Sequence, residues 1–230
     1  MNFRSRPLLS VIFLVVAVVC ARLGVWQVRR LRERRAANTV ASRARAAPPV
    51  DLERLVEDSS LSGRRVRAEG HYDHAHDIVV RGREYQGVPG VELVSPLILE
   101  RQNAAVLVDR GFVPSPDAVT VVSDSFKEPG RKEVEGLLAP VPSGQGMPLQ
   151  REGRTTWARL DLAALQSQVP YRLYRFSILQ TPESTWQRFP RRQDAPPLDD
   201  GPHLNYAIQW FAFAVIAVVF AGLMARPGVS

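Results

Sequence analysis

Apolar side chains are concentrated in two long runs, one near each end of this chain of 230 residues. The first run begins at Pro7 and the second at Leu204, and nearly everything polar lies between them. Each run reaches the roughly 20 mostly apolar residues that an α-helix needs to cross a bilayer core. The pattern predicts transmembrane helices at 7–27 and 204–225, with short tails at 1–6 and 226–230.

The polar segment 28–203 is predicted to be one extramembrane domain, since about 175 residues suffice for a single core. Its first part lacks proline and is rich in arginine and alanine, so the first helix should continue in solvent to about residue 47. Pro48 and Pro49 then end it. A short helix is expected at 51–57.

From Arg64 onward, short alternating runs rich in branched side chains replace the helical pattern. A period of two is typical of strands with one buried face. Another short helix is expected at 161–168, where Asp161 can cap the first turn. We therefore expect an α+β membrane protein: two transmembrane helices flanking a mainly antiparallel small sheet or open barrel with minor helices. The strands are predicted at 66–72, 77–83, 91–100, 104–113, 131–139 and 171–181.

Positive charge closely follows the first apolar run and contributes much of the formal net charge of +7. At this position arginine favours anionic lipid headgroups as partners, and no nucleic-acid-binding motif accompanies the charge. By the positive-inside rule, the charge alone would place the domain in the cytoplasm. The cluster consists of Arg29, Arg30, Arg32, Arg34 and Arg35.

Cys20 is the only cysteine and lies within the first apolar run. A single cysteine allows neither an intrachain disulfide nor a redox centre of paired thiols. A cleaved signal peptide is the alternative to a retained anchor, but no small-x-small cleavage site closes the run. We find no nucleophile beside a base, no glycine-rich phosphate loop and no convincing carboxylate pair, so no enzymatic activity is expected.

The start of the second span carries the most suggestive polar side chain. Spacings of three and four residues place His203, Tyr206, Trp210 and Phe213 on one helical stripe. An aromatic belt at the headgroup level explains this stripe simply. The alternative is that the imidazole of His203 binds haem iron and that the aromatic rings pack against the macrocycle.

Two further groups in the middle domain are candidates for binding. Arg110 closes a valine-rich strand, where it could grip a carboxylate or propionate bidentately or simply form an ion pair with a neighbouring strand. His74 and His76 form a His-x-His pair that would place both rings on one face of a strand. Imidazole suits copper or zinc, whereas the simpler interpretation is a polar hairpin tip.

Several short motifs, taken in order along the chain, resemble the Surfeit locus protein family. The resemblance covers both spans and much of the middle domain. It does not extend to 123–130 or 143–154. The motifs are LGVWQ at 23–27 followed by Arg30 and Arg34, GHYD at 70–73, GVPG at 87–90, VLVDRGFVP at 106–114 and HLNYAIQWF at 203–211.

This resemblance implies an assembly factor for haem-copper terminal oxidases, chiefly cytochrome c oxidase. Family members lie in the bacterial inner (cytoplasmic) membrane or the mitochondrial inner membrane, with the central domain facing the periplasm or intermembrane space. Some bacterial members bind haem a and are thought to pass it to oxidase subunit I, and the histidine opening the second span is their candidate ligand. Here that histidine is His203, and the implied topology reverses the one expected from charge.

The resemblance also suggests roles for the end of the first span. Trp26, Gln27 and Arg30 match a family motif and would dock against the second span or contact haem propionates, although interfacial anchoring explains them equally well. Tyr206 would orient a ligand or only pack. Partners would be subunit I, other oxidase assembly factors and membrane lipids. A cofactor-free scaffold for oxidase subunits and a copper chaperone using His74 and His76 are the alternatives.

Overall fold

The computed structural model describes residues 6–55, 61–151, 153–183 and 188–225. It divides into two compact units. The helix-pair unit comprises Met1–Ser42 and Leu198–Ser230, and the barrel unit comprises Arg43–Pro197. Two apolar helices thus flank a β-rich domain, which confirms the predicted fold class. The predicted tails 1–6 and 226–230 lie almost wholly outside the described residues.

The described residues form three α-helices: α1 (Arg6–Ala46), α2 (Leu162–Gln166) and α3 (His203–Ala225). Helix α1 runs without a break through 41 residues and ends just before the two prolines at 48 and 49. Helix α3 begins directly after Pro202. Asp161 caps α2, since its carboxylate accepts hydrogen bonds from the backbone N–H groups of Ala163 and Ala164.

Helices α1 and α3 pack against each other in antiparallel orientation. Ser10 near the start of α1 donates to the carbonyl of Ala221 near the end of α3, 2.9 Å away. Phe13 stacks on Phe220 with ring centroids 5.5 Å apart. The buried positions of both helices recur at spacings that fit a heptad seam. They are Ala17, Cys20, Gly24, Gln27 and Leu31 on α1, and Ala207, Ala217 and Ala221 on α3.

A close approach of the two helices depends on small residues in this seam. A Cβ at Gly24 would lie 2.7 Å from the ring of Phe211. Outside the seam, most of the large apolar side chains are exposed, among them Val15, Val215 and Ile208. Both helices are long and apolar enough to cross a membrane. Extensive apolar exposure is what a bilayer-spanning pair requires, and the core helix of a water-soluble protein would instead be mostly buried.

The part of the barrel unit that the structure describes forms nine strands in one sheet. Five of them close into a barrel in the order β2–β6–β9–β5–β4, because the end of β4 pairs with β2. Only the β5–β9 pair within the barrel is parallel. The barrel is therefore closed rather than open. The strands are β1 (Val50–Asp51), β2 (Arg65–Tyr72), β3 (Ile78–Tyr85), β4 (Val88–Leu99), β5 (Ala104–Pro114), β6 (Arg131–Pro140), β7 (Pro148–Arg151), β8 (Arg154–Trp157) and β9 (Arg172–Gln180).

Strand β5 is buried on both faces, which explains its nearly continuous apolar sequence. Val106 and Val108 belong to a core cluster that includes Phe176 of β9. The alternate residue Leu107 belongs to a second cluster, which includes Trp157 of β8. The central position of β5 thus results from side chains that can be buried in both directions.

Some local predictions were wrong or incomplete. The short helix expected at 51–57 is a 3-10 turn at Leu52–Arg54, preceded by strand β1, and 56–60 lie outside the described residues. All six predicted strands are present within two or three residues, but β1, β7 and β8 were not predicted. Every side chain of β7 is exposed, so this strand has no alternating apolar face to reveal it.

Candidate functional site

His203 and Gln27 form a hydrogen-bonded pair within the helix-pair unit. Nδ1 of His203 lies 2.8 Å from Oε1 of Gln27, although 176 positions separate the two residues in sequence. An amide oxygen can only accept, so Nδ1 is the donor. Nε2 of the neutral ring then carries the lone pair, and none of the residues described in the structure forms a hydrogen bond with it. Metal-ligating histidines have this arrangement, with the second ring nitrogen donating to an oxygen.

The hydrogen bond between His203 and Gln27 contributes to stability because Gln27 is buried. Gln27 is only 9% exposed and sits in the seam between the helices. A buried amide without a partner costs roughly 1–3 kcal/mol in proteins, so the contact with His203 stabilises the pairing of α1 and α3 as well as fixing the ring. The tautomer and orientation of His203 therefore follow from the packing of the helix pair.

The predicted aromatic stripe follows His203 along α3. Trp210 and Phe213 make an edge-to-face contact with centroids 6.1 Å apart. Tyr206 lies one turn after His203 and is largely exposed, while its backbone N–H donates to the carbonyl of Pro202. The stripe therefore offers exposed aromatic surface next to the histidine.

The two other predicted residues of α1 lie beside Gln27 on different faces. Trp26 is 49% exposed and lies outside the seam. Arg30 lies three residues beyond Gln27 and forms an exposed ion pair with Glu33, at 3.1 Å. Exposed pairs of this kind contribute about 0–1 kcal/mol, so Glu33 can be exchanged for another anion at little cost.

An acidic loop before α3 was not predicted to be part of this site. Asp199 and Asp200 lie four and three residues before the first residue of α3, and Nε of Arg35 lies 2.8 Å from the carboxylate of Asp200. Nδ2 of Asn38 donates to the backbone carbonyl of Asp199, also at 2.8 Å. Arg34 contacts the same carbonyl at 3.3 Å. The loop is therefore fastened to α1 about two turns beyond Gln27, and part of the arginine cluster is neutralised.

Arg110 lies in the barrel unit and is fully buried there. The register of β5 against β4 shifts here: Asp109 is opposite Val94 and Gly111 is opposite Leu93. Arg110 is therefore the extra residue of a β-bulge, a feature that re-aims a side chain. A regular strand would place Asp109 and Arg110 on opposite faces, and the bulge interrupts that alternation.

The guanidinium of Arg110 has protein partners on all sides. Nη2 lies 2.7 Å from Oε1 of Glu128, and Nη1 donates to Oγ of Ser95 at 3.1 Å. Nη2 of Arg192 reaches the same Glu128 oxygen at 2.7 Å. Burial acts to raise the pKa of Glu128, but the two guanidinium groups outweigh it and hold this pKa below its usual value. This is a structural ion-pair network, and it leaves no free fork on Arg110 for a propionate.

The histidines that suggested copper are also engaged within the barrel unit. They lie in a 3-10 turn, not on a strand. Nδ1 of His74 lies 3.3 Å from the carboxylate of Asp77, and Nε2 of His74 accepts the backbone N–H of Glu128 at 2.9 Å. Nδ1 of His76 lies 2.7 Å from Asp73. The described part of the chain contains no group of three or more histidine, cysteine or acidic residues arranged to hold a metal ion.

Glu128 and Arg192 are the principal residues that sequence reasoning missed. Both lie in irregular segments, where neither periodicity nor a motif marks a residue. The paired arginines at 191 and 192 in a proline-rich stretch were the only hint. The backbone N–H of Phe112 in β5 donates to the carbonyl of Arg191 at 2.9 Å, and the N–H of Arg191 donates to the carbonyl of Phe112 at 2.7 Å. These two hydrogen bonds position the next residue, Arg192, in the buried network.

The fold and the site define a class: a closed β-barrel that lies between two apolar helices in sequence, with a histidine oriented at the start of the second helix. Comparison with known proteins identifies the family. The chain belongs to the SURF1 family, whose model matches residues 14–215. This confirms the family predicted from the motifs.

Individual relatives are distant but match over most of the chain. A SURF1-like protein of Rickettsia bellii is 22% identical over 93% of this chain and 89% of its own length. Surfeit locus protein 1 of Takifugu rubripes is 24% identical over 66% of this chain and 70% of its own length. The cytochrome oxidase assembly protein SHY1 of Saccharomyces cerevisiae is 25% identical over 74% of this chain and 43% of its own length.

Proposed function

We propose that this protein is a membrane-anchored assembly factor for haem-copper cytochrome c oxidase, which binds haem a at His203 and hands it over during maturation of subunit I. Membership of the SURF1 family and the similarity to the yeast cytochrome oxidase assembly protein support the assembly role. The hydrogen bond between His203 and Gln27 is the observation that carries the haem-binding part. The protein acts by binding and release and has no turnover of its own.

The residues at the helix pair fit haem in two respects. First, the imidazole of His203 is held by its Nδ1–H, which leaves Nε2 as the nitrogen that would bind the haem iron. Second, Tyr206 and Trp210 offer aromatic surface on the same stripe of α3 as the histidine. Haem a would supply the redox-active iron that the oxidase needs, and the protein would hold it in a defined orientation.

Arg30 is the best placed cation for a haem propionate. It lies one turn from Gln27, and its present partner Glu33 holds it only through an exposed ion pair. Trp26 is better assigned to the membrane interface, since it is exposed beside the seam. Arg110 is better assigned to the barrel, where Glu128 neutralises it.

We place the barrel unit on the periplasmic side of the inner membrane, as the family resemblance implies. By the positive-inside rule the juxtamembrane arginines favour the opposite placement, although Asp199 and Asp200 pair with two of them within the helix-pair unit. Reporter fusions near Gly130 provide the test. A fusion that is active only in the periplasm supports the placement, and one that is active only in the cytoplasm overturns it.

The decisive experiment is purification of the full chain from cells that make haem a. The wild type should show a Soret band, and its pyridine haemochrome spectrum should be that of haem a. The haem content of purified His203→Ala should be about tenfold or more below that of the wild type. His71→Ala, which changes an exposed histidine of β2, should retain the wild-type haem content. If the wild type carries neither haem nor copper, the cofactor-free scaffold replaces this proposal. Copper lost on His74→Ala with His76→Ala would instead support the chaperone alternative.

A second pair of variants tests the orientation of the ligand. Gln27→Leu removes the acceptor for Nδ1–H, so haem affinity should fall by about tenfold or more, the usual effect of losing an outer-sphere partner. Gln27→Glu keeps an acceptor and makes it anionic. It should retain the haem but lower its reduction potential, because a carboxylate makes the imidazole a stronger donor. An unchanged potential and affinity in both variants would mean that Gln27 does not act on the ligand.

A further inference from the structure

The arginines at the membrane-proximal part of α1 divide into two groups in the structure. One group has acidic or carbonyl partners in the helix-pair unit: Arg30 with Glu33, and Arg34 and Arg35 with the loop at 199–200. The other group is exposed, and no described residue forms a hydrogen bond or ion pair with any of its members. It consists of Arg22, Arg29 and Arg32.

The unpaired arginines share one face of α1. The seam occupies Gly24, Gln27 and Leu31, which correspond to the inward positions of a heptad. In that register Arg22 and Arg29 are seven residues apart on the outward side. Arg32 follows one turn later. Val25 and Trp26, both about half exposed, lie between them. The face is therefore cationic, aromatic and turned away from α3.

We propose that this outward face, defined by Arg22, Trp26, Arg29 and Arg32, binds the phosphate headgroups of anionic phospholipids. The inference goes beyond the assembly role and rests on the membrane placement of α1. Three guanidinium groups that lack acidic partners among the described residues require counterions. Directly beyond an apolar run, the anions available at this level are lipid phosphates. Arginine recognises phosphate with its planar fork of donors.

The dimensions of the helix agree with this occupant. Arg22 and Arg29 are about 10 Å apart along the axis at 1.5 Å per residue. The headgroup layer is about 5–8 Å thick on each side of the hydrocarbon core, and long arginine side chains bend toward it from either level. Trp26 between them is the residue type most typical of this depth. Arg32 lies three residues beyond Arg29, within a Debye length of about 8 Å, so its charge adds to that of Arg29.

The test measures lipid selectivity of the full chain reconstituted in phosphatidylcholine vesicles. Electron spin resonance compares the motionally restricted fractions of spin-labelled phosphatidylglycerol and spin-labelled phosphatidylcholine. The wild type should prefer the anionic label several-fold. Arg22→Gln with Arg29→Gln should reduce that preference by about threefold or more. The matched control, Arg34→Gln with Arg35→Gln, removes the same charge from the paired group and should stay near the wild type.

The outcomes separate this proposal from its competitors. Equal restriction of both labels by the wild type overturns it, as does an equal loss in the two double variants, which would indicate net charge only. A photo-crosslinker at position 25 should label lipid in cells, and a crosslinked acidic protein in its place would also overturn the proposal. Haem content of Arg22→Gln with Arg29→Gln should be unchanged, so a failure here is distinguishable from a failure of haem binding.

Discussion

The two units of this protein both bury polar side chains, but they satisfy them differently. In the barrel unit, the guanidinium groups of Arg110 and Arg192 share the carboxylate of Glu128, and the carboxylate of Asp77 lies 4.0 Å from Arg110. In the helix-pair unit, Nδ1 of His203 donates to Gln27, and no described residue forms a hydrogen bond with the other ring nitrogen. A matched network stabilises a fold, whereas an oriented group with a remaining lone pair can bind a ligand. The difference separates structural polar residues from candidate site residues.

The largest effect is expected on breaking the barrel network. Glu128→Ala removes the carboxylate that two buried guanidinium groups share, so the free energy of unfolding should fall by about 3–5 kcal/mol. Urea unfolding followed by near-ultraviolet circular dichroism measures it. Glu133→Ala, which removes an exposed partner of Arg67, is the matched control and should cost less than about 1 kcal/mol. Similar losses in the two variants would show that the network is not structural.

A somewhat smaller loss of stability is expected on changing Gly111 of β5, which contacts the backbone of Arg191. A Cβ at Gly111 would lie 2.1 Å from the carbonyl oxygen of Arg191, at a backbone φ of +111°. Gly111→Ala should therefore destabilise the barrel by about 2–4 kcal/mol. Gly130→Ala, at φ +81° with open space around it, should cost only about 1 kcal/mol. If thermal unfolding ranks the two variants equally, the backbone contact with Arg191 contributes nothing.

Asp109 is the exception within the barrel, since its charge is poorly matched. Burial and the nearby Glu92 raise its pKa to about 7, from an ordinary value of 3.8. The native state therefore binds more protons than the unfolded state between these values, and stability falls as pH rises through that window. Asp109→Asn should remove this loss, at most about 1.4 kcal/mol per pH unit, while keeping an acceptor for the N–H of Gly111.

Denaturation of both proteins at pH 5 and pH 8 checks the effect of Asp109. Asp117 provides a control of opposite sign, because hydrogen bonds from Thr120, Val119 and Ser115 hold its pKa below the usual range. Its contribution is present at neutral pH and lost under acid. A wild-type curve that rises from pH 5 to pH 8, by an amount that Asp109→Asn abolishes, would reverse our assignment.

The smallest loss of stability is expected on removing a single hydrogen bond between α1 and α3. Ser10→Ala removes the hydrogen bond to the carbonyl of Ala221, and such bonds in membranes contribute about 0.6 kcal/mol on average. Unfolding in mixed micelles of increasing sodium dodecyl sulfate measures the difference, with the exposed Ser42→Ala as control. Haem affinity should not change in either variant. A large loss of haem in Ser10→Ala would show that the helix pair moves as a whole around His203.

Much of the architecture could be predicted from local pattern. The period of two in β2 places Val66, Ala68 and Tyr72 in the core, as observed. Spacings of three and four identify the aromatic stripe of α3. The bulge at Arg110 could not be predicted, because it exists only in the register of β5 against β4. The short strand β7 carries no apolar face, and the 3-10 turn at His74–His76 depends on capping by Asp73.

The sequence by itself determined the two spans, the six longer strands, the family and the candidate histidine. These properties depend on segment length, periodicity and contiguous motifs. Only the tertiary structure decided that Gln27 orients His203, that Glu128 neutralises Arg110, and that the juxtamembrane arginines divide into paired and unpaired groups. Each of these contacts joins residues from separate segments. Their energies come from burial and from partners that no local pattern encodes.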